Sequence, residues 1–209
     1  MSDNPRRPKS TSPGRPRSDE TTNAIMQAAL SLGEENGFAG LSIEGVAARA
    51  GVAKTTIYRR WPNVWSIVTD AFLADLTRLA PIQTRATTRE SIIASMQLLA
   101  RAYNGRLGRI IRPLLGQAQL DPALKKVIRD RWVIPRRQAA LAIIQAGISR
   151  GEIRSDIPPD AILDALYGPF YHRLLLPYDE GESISVGYVD AIVEAVFGGI
   201  ADFKNGRRT

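Results

Sequence analysis

Three features of the 209-residue chain predict an all-α fold. From Ser18 onward, apolar residues recur three and four apart, as they do along one face of a helix. Gly and Pro punctuate these runs at short intervals. No stretch alternates apolar and polar residues with the period of two that a half-buried strand needs, and no internal repeat is present.

Residues 1–17 hold Arg6, Arg7, Lys9, Arg15 and Arg17 against Asp3, set among Pro, Ser, Thr and Gly. With almost no large apolar side chain to bury, this segment reads as a flexible basic arm. Ser18 is the expected N-cap of the first helix, because Asp19 and Glu20 suit its positive end and Ile25, Ala28, Ala29 and Leu32 follow on one face. Asn36-Gly37 supplies its stop. Ser42 caps a short second helix with Ile43, Val46, Ala47 and Ala50 inward, Gly51 breaks it, and a third helix spans about Ala53 to Trp61. Pro62-Asn63 ends the third helix and caps a fourth, Val64 to Leu79, which carries Trp65, Ile67, Val68, Phe72, Leu73 and Leu76.

Beyond Pro81 the helical period continues. Ile92, Ile93, Met96, Leu99 and Tyr103 mark a helix from Thr88, and the apolar stretch Ile110 to Leu115 marks another. Asp121-Pro122 has the N-cap and first-turn chemistry of a longer helix, expected to bend at Pro135 and stop near Gly151. Two more are expected over about Pro159 to Leu176 and Ser183 to Phe203, the former kinked or interrupted at Gly168-Pro169.

Composition narrows the function. The net charge is +7 and the pI about 10.0, which favours a polyanionic partner through release of counterions from phosphate. Zero cysteines excludes disulfides, thiolate nucleophiles and Cys-ligated metals, and the single His172 cannot build a metal cluster. No phosphate-cradling glycine loop, nucleophile elbow or paired acid and base is visible, so no catalytic residue, metal or cofactor is expected. No apolar run is long enough to cross a bilayer and no secretory signal is legible, so the expected location is the cytoplasm, with no membrane partner.

Residues 42–61, SIEGVAARAGVAKTTIYRRW, read as short helix, glycine turn, short helix. At about 100 degrees per residue, Ala53, Ile57 and Trp61 share one side of the second of these helices, and Thr55, Thr56 and Arg59 share the other. The free side suits a DNA major groove: Arg59 can fork onto a guanine edge, the threonines offer hydroxyls and methyls to bases, and Lys54 reaches phosphate or base. Tyr58 lies on the flank, placed to hydrogen-bond a phosphate oxygen. The competing reading of the same spacing is two packed helices with a solvated polar face.

Residues 18–79 also resemble the DNA-binding domain of TetR-type regulators, in which the third helix commonly reads Ser-x-Gly-Thr-Leu-Tyr-x-His-Phe and a Lys opens the fourth. AKTTIYRRWPNV matches at Thr56, Tyr58 and Trp61, with Ile57 for Leu, and the Asn36-Gly37-Phe38 and Leu41-Ser42-Ile43 segments match upstream. Ala53, Thr55 and Val64 depart from the pattern, Val64 standing where the Lys commonly touches phosphate. The resemblance implies phosphate contacts from Ser42, Thr56, Tyr58 and Arg60, and base reading by Lys54, Thr55 and Arg59. It also implies three domains: the arm, a helix-turn-helix domain over 18–79 with a linker helix, and a helical ligand-binding and dimerisation domain over 80–209. The arm segment Pro13-Gly14-Arg15-Pro16-Arg17 resembles a minor-groove AT-hook, with Arg15 and Arg17 entering the groove, against the alternative of a solubilising tail.

A single helix-turn-helix reads few base pairs, so a homodimer on double-stranded operator DNA is expected. Leu163, Leu166 and Leu174 on one C-terminal helix, and Val189, Ile192, Val193, Val196, Phe197 and Ile200 on the other, form stripes that either build a four-helix dimer interface or close the monomer's own core. The segment 151–176 resembles the C-terminal domain of one TetR subgroup. Met96, Leu99, Tyr103, Trp132, Tyr167, Phe170 and Tyr171 are candidates to line a pocket for an unidentified small-molecule effector, or plain core. Ten basic residues over 101–137 (Arg101, Arg106, Arg109, Arg112, Lys125, Lys126, Arg129, Arg131, Arg136, Arg137) suggest a site for an anionic effector, a place near DNA phosphate, or a solvated helix face. The expected role is a ligand-released repressor, with a constitutive or architectural DNA-binding protein as the alternative.

Overall fold

The computed structural model describes residues 16–176 and 183–200. Among them ten α-helices follow one another: α1 (Pro16–Asn36), α2 (Ile43–Ala50), α3 (Lys54–Tyr58), α4 (Val64–Leu79), α5 (Thr88–Asn104), α6 (Arg106–Leu120), α7 (Pro122–Ile128), α8 (Ile134–Ser149), α9 (Pro159–Leu175) and α10 (Val186–Ile200). No helix among the described residues is long and apolar enough to cross a membrane.

Local chemistry sets most boundaries. Ser42 accepts a hydrogen bond from the Gly45 N–H, Asn63 from that of Ser66, and Asp121 from those of Ala123 and Leu124. Thr87 and Glu90 form a reciprocal capping box at the start of α5. Each such cap is worth about 1 kcal/mol. Gly51 ends α2 in the left-handed region (φ 65°), the conformation that a side chain resists and that lets α3 turn away sharply.

Four boundaries differ from expectation. α1 begins at Pro16 rather than after Ser18, because a first-turn proline loses no helical hydrogen bond and already has the right φ. α3 is shorter than the spacing suggests: Ala53 is its extended N-cap (φ −71°, ψ 144°), so Ala53 leaves the wheel and is exposed instead of packed. The bend expected at Pro135 is a π-helical turn over Arg129–Val133 just before it, since Pro135 has no N–H to return to the Arg131 carbonyl. Gly168-Pro169 does not interrupt α9, where Leu166 and Phe170 on either side are fully buried and hold the helix through the missing hydrogen bond.

Two hydrophobic cores result. The smaller, in the head, is Ile25, Ala28, Ala29, Ile43, Val46, Ala47, Ile57, Trp61 and Ile67. The larger, in the body, is built from α4 to α10 and also takes in Leu30 and Phe38. α4 belongs to both: Ile67 faces the head, while Val68, Ala71, Phe72 and Leu76 face the body. The start of α6 is pressed against the end of α5 so closely that a Cβ on Gly108 would lie 1.8 Å from the Tyr103 carbonyl oxygen.

Candidate nucleic-acid interface

The head packs one side of α3 and presents the other. Ile57 and Trp61 are buried at 0% and 2% exposure, whereas Thr55, Tyr58, Arg59 and Arg60 are exposed and Thr56 is half-buried. The α2 N-cap brings Ser42 to the same head, with its hydroxyl hydrogen still able to donate outward. Arg49 clamps Glu35 through two hydrogen bonds of 2.8 and 2.7 Å, tying α2 to α1.

The cationic side chains expected to meet DNA sit in different states. Lys54 is in an ion pair with Glu44 at 3.1 Å, so its charge is partly answered within the head. Arg60 donates to the Thr22 hydroxyl at 2.8 Å and lies over the Trp61 ring at 5.1 Å, which orients it. The Arg59 guanidinium makes no ion pair among the described residues, so it offers a full fork of donors to solvent. Arg15 lies outside the described residues, and so does the side chain of Arg17, whose backbone belongs to the first turn of α1. The AT-hook expectation falls on that segment.

Ser18, Thr21 and Thr22 of α1 share a groove with Thr56, Arg59 and Arg60. Their place beside α3 is not legible from the helix-turn-helix segment; the available signal is the run of hydroxyls in the first turns of α1, directly after the basic arm. Val64, where the resemblance expects a phosphate-binding Lys, packs against the head's core.

Trp61 links the head to the body. Its indole N–H donates to Asp70 of α4 at 2.8 Å, and the other carboxylate oxygen of Asp70 accepts from Arg131 at 2.6 Å. Arg131 lies in the π-helical turn, and the next residue, Trp132, meets Phe72 of α4 edge-on with ring centroids 4.9 Å apart.

Trp132 also stands on the wall of a cavity of about 110 Å³, with Leu99, Arg136, Leu163, Tyr167 and Tyr171. Four of the residues expected to line a pocket therefore do so: Leu99, Trp132, Tyr167 and Tyr171. Met96 and Phe170 do not, being sealed in the core at 0% exposure. Tyr103 is buried behind the cavity with its hydroxyl beside that of Tyr171. Periodicity alone missed Ile82, Val133 and Arg136, which come from the connection after α4 and from around the π turn.

The C-terminal stripes require a correction. Leu163, Leu166, Leu174, Val189, Ile192, Val193 and Phe197 are all 9% exposed or less and close the monomer's own core, because α10 packs on both α5 and α9. Such side chains have no surface left for a second subunit. Val196 is half-buried at the edge of that core, and the Ile200 side chain lies outside the described residues. The basic run over 101–137 is largely solvent-exposed, and several of its members are paired with carboxylates of this chain. Arg106 and Arg109 pair with Glu34, Lys126 and Arg129 with Asp130, and Arg137 with Asp160 and Asp164.

No group of three or more His, Cys, Asp or Glu able to hold a metal occurs among the described residues. Residues 25–63 match the family model of bacterial regulatory proteins of the tetR family, and residues 82–196 match that of the tetracyclin repressor-like C-terminal domain. A helix-turn-helix-type transcriptional regulator of Bacillus subtilis, YdeS, is 35% identical over 187 residues, covering 90% of this chain and 93% of its own. The DNA-binding transcriptional repressor TetR of Mycobacteroides abscessus is 28% identical, over 78% of this chain and 88% of its own. The crystal structure of the TetR family regulator SCO0332 superposes with a TM-score of 0.70 at 28% identity, covering 88% of this chain and all of that one.

Proposed function

The chain belongs to the TetR family of DNA-binding transcriptional regulators, and from that premise we propose that it is a homodimeric, cytoplasmic repressor that releases operator DNA when a small molecule enters its body. Arg59, Thr55 and Lys54 read base edges; Ser42, Thr56, Tyr58 and Arg60 hold phosphate, helped by Ser18, Thr21 and Thr22 along the groove they share. Lys54 gives up its ion pair with Glu44 to do so.

The observation that carries the release reading is the double use of Asp70. One carboxylate holds the tryptophan that ends the reading segment and the arginine whose neighbour walls the cavity. A ligand that shifts the π turn by a fraction of a turn moves Asp70 and, with it, Trp61. The two reading heads of a dimer must fit successive major grooves roughly 34 Å apart, so a small tilt of α4 in each subunit removes simultaneous docking.

For the dimer, the faces of α9 and α10 opposite the core are the proposed interface. Ala165 and Gly168 on α9, and Ala191, Ala195 and Gly198 on α10, are exposed and spaced on one side of each helix, where small side chains let a second pair of helices approach closely. The repressor role is also supported by the named repressor of Mycobacteroides abscessus among the relatives.

The test is a fluorescence anisotropy titration of the full chain against its own upstream DNA and a scrambled duplex, at several salt concentrations. Selectivity of about a thousandfold with a steep salt slope is expected. Equal weak binding to both duplexes would make it an architectural protein, and a monomer by light scattering would remove the dimer.

A further inference from the structure

The cavity in the body carries an electrostatic demand that nothing in the chain meets. Arg136 donates one terminal nitrogen to the Ala80 carbonyl at 2.7 Å, while its other, Nη2, is buried without a hydrogen-bond partner. No carboxylate pairs with it among the described residues. Arg137, one position further, shows the ordinary outcome: its guanidinium reaches Asp160 at 2.6 Å and Asp164 at 2.8 Å.

The hydroxyls of Tyr103 and Tyr167 are also buried without a hydrogen bond of normal geometry, and both lie close enough to Arg136 to feel its charge. Burial pushes the Tyr167 phenol up to about 12 and raises Tyr103 and Tyr171 as well, so all three keep their protons at neutral pH. Of the two arginines on the wall, Arg137 is paired with carboxylates, and Arg136 with its neighbouring phenols is left with surplus donors and no anionic acceptor. Leaving such groups unpaired is costly, most of all for a charge.

We propose that this cavity binds a small carboxylic acid, its carboxylate held by Arg136 and Tyr167 and its apolar part, about the size of one ring, lying against Leu99, Trp132 and Leu163. The proposal rests on the ligand-release reading above and names the chemical class of that ligand. A carboxylate brings acceptors only, one negative charge and the planar geometry that a guanidinium fork matches. A dianionic phosphate would need a second cation, and the other arginine on the wall, Arg137, is already paired with Asp160 and Asp164. A neutral amide would turn donors of its own toward donors. The size follows from the cavity, whose volume of about 110 Å³ is a little below the roughly 150 Å³ void that accepts benzene.

Because Arg136 also holds the Ala80 carbonyl at the end of α4, a carboxylate that draws the guanidinium inward acts directly on the helix joining body to head. The ligand would therefore reach α4 at two places, through Arg136 at its end and through Trp132 near its middle.

The experiment is a calorimetric titration of the full-length protein with benzoate, cyclohexanecarboxylate and isovalerate, each beside its primary amide, repeated on Tyr167→Phe and Arg136→Gln. At least one acid is expected to bind at millimolar concentration or below, with its amide about tenfold weaker or worse. Tyr167→Phe keeps the ring in place and should weaken the acid severalfold while leaving the melting temperature unchanged or raised. Arg136→Gln should abolish acid binding, at some cost in stability from the lost Ala80 contact. Amides that bind as well as the acids, or no binding by any acid at millimolar concentration, would overturn the proposal; a protein that still selects its duplex would then keep the regulator reading intact. An acid that binds with this pattern yet never loosens the duplex would uphold the ligand class and remove ligand release.

Discussion

Head and body are both assembled from amphipathic helices, yet they are specified over different distances along the chain. The head's core runs from Ile25 to Ile67, and its outward-facing side chains at 55–60 come from a single short helix and the turn after it. The cavity wall draws on Ile82, Leu99, Trp132, Arg136, Leu163 and Tyr171, which span most of the body. A reading surface is a property of one helix. A cavity is the space left where several helices fail to meet, and it exists only once all of them are placed.

α4 is where the two regions meet, so it is where the contrast breaks most readily. Phe72 is fully buried and lies edge-on to Trp132; Phe72→Ala should cost about 3–5 kcal/mol in chemical denaturation. A single cooperative transition is expected, because the two cores share a helix. Two separate transitions, with only one moved by the substitution, would mean that head and body fold independently.

The next largest effect belongs to the head alone. Arg59→Ala should weaken specific DNA binding by about 1–3 kcal/mol, roughly fivefold to 150-fold, and leave the melting temperature nearly unchanged, since the side chain is exposed. Equal loss on specific and scrambled duplexes would place Arg59 on phosphate instead of a base.

Asp70→Asn tests the connection between the regions. It removes the charge facing Arg131 and weakens the acceptor for Trp61, with an expected loss of about 1–2 kcal/mol in stability. Its more telling readout is the response to ligand: DNA affinity should become less sensitive to an occupied cavity. Unchanged sensitivity would show that the signal travels by another route, such as Arg136 and Ala80.

The smallest effect lies in the body, where the start of α5 meets the turn after α8. Glu152 accepts from the Thr88 N–H at 2.7 Å and from Arg150 at 2.5 Å, and its carboxyl is held down at about 2, chiefly by the Arg150 hydrogen bond. A lowered folded-state pKa stabilises above the unfolded value of 4.5, and the contribution fades as pH falls toward about 2. Glu152→Gln should therefore cost about 1 kcal/mol at neutral pH, after screening of this partly exposed pair, with the difference from wild type vanishing across that acid window. A difference independent of pH would assign the loss to shape instead of charge.

Much of this is legible in the amino-acid sequence alone. The caps at Ser42, Asn63 and Asp121, the turn at Gly51 and the buried pair Ile57 and Trp61 all follow from contacts within a few residues. What failed did so for a common reason. Ala53 left the wheel because a cap residue takes extended backbone, and α9 passed through Pro169 because core packing outweighed one lost hydrogen bond. The stripe from Leu163 to Phe197 is equally apolar whether it meets its own chain or another copy, so periodicity could mark it as buried but not say against what.

By itself, then, the amino-acid sequence determined the all-helical class, the helix-turn-helix and the side of α3 that faces outward, since each depends on hydrogen bonds and side-chain directions repeating over one or two turns. Tertiary structure alone decided which partner each apolar stripe meets and that Asp70 is shared by Trp61 and Arg131. It also decided that Arg136, half-buried beside a cavity, keeps one terminal nitrogen without a hydrogen-bond partner and no carboxylate to pair with among the described residues. Those outcomes depend on the relative placement of helices far apart in the chain, which the summed packing of the whole core settles and no local pattern encodes.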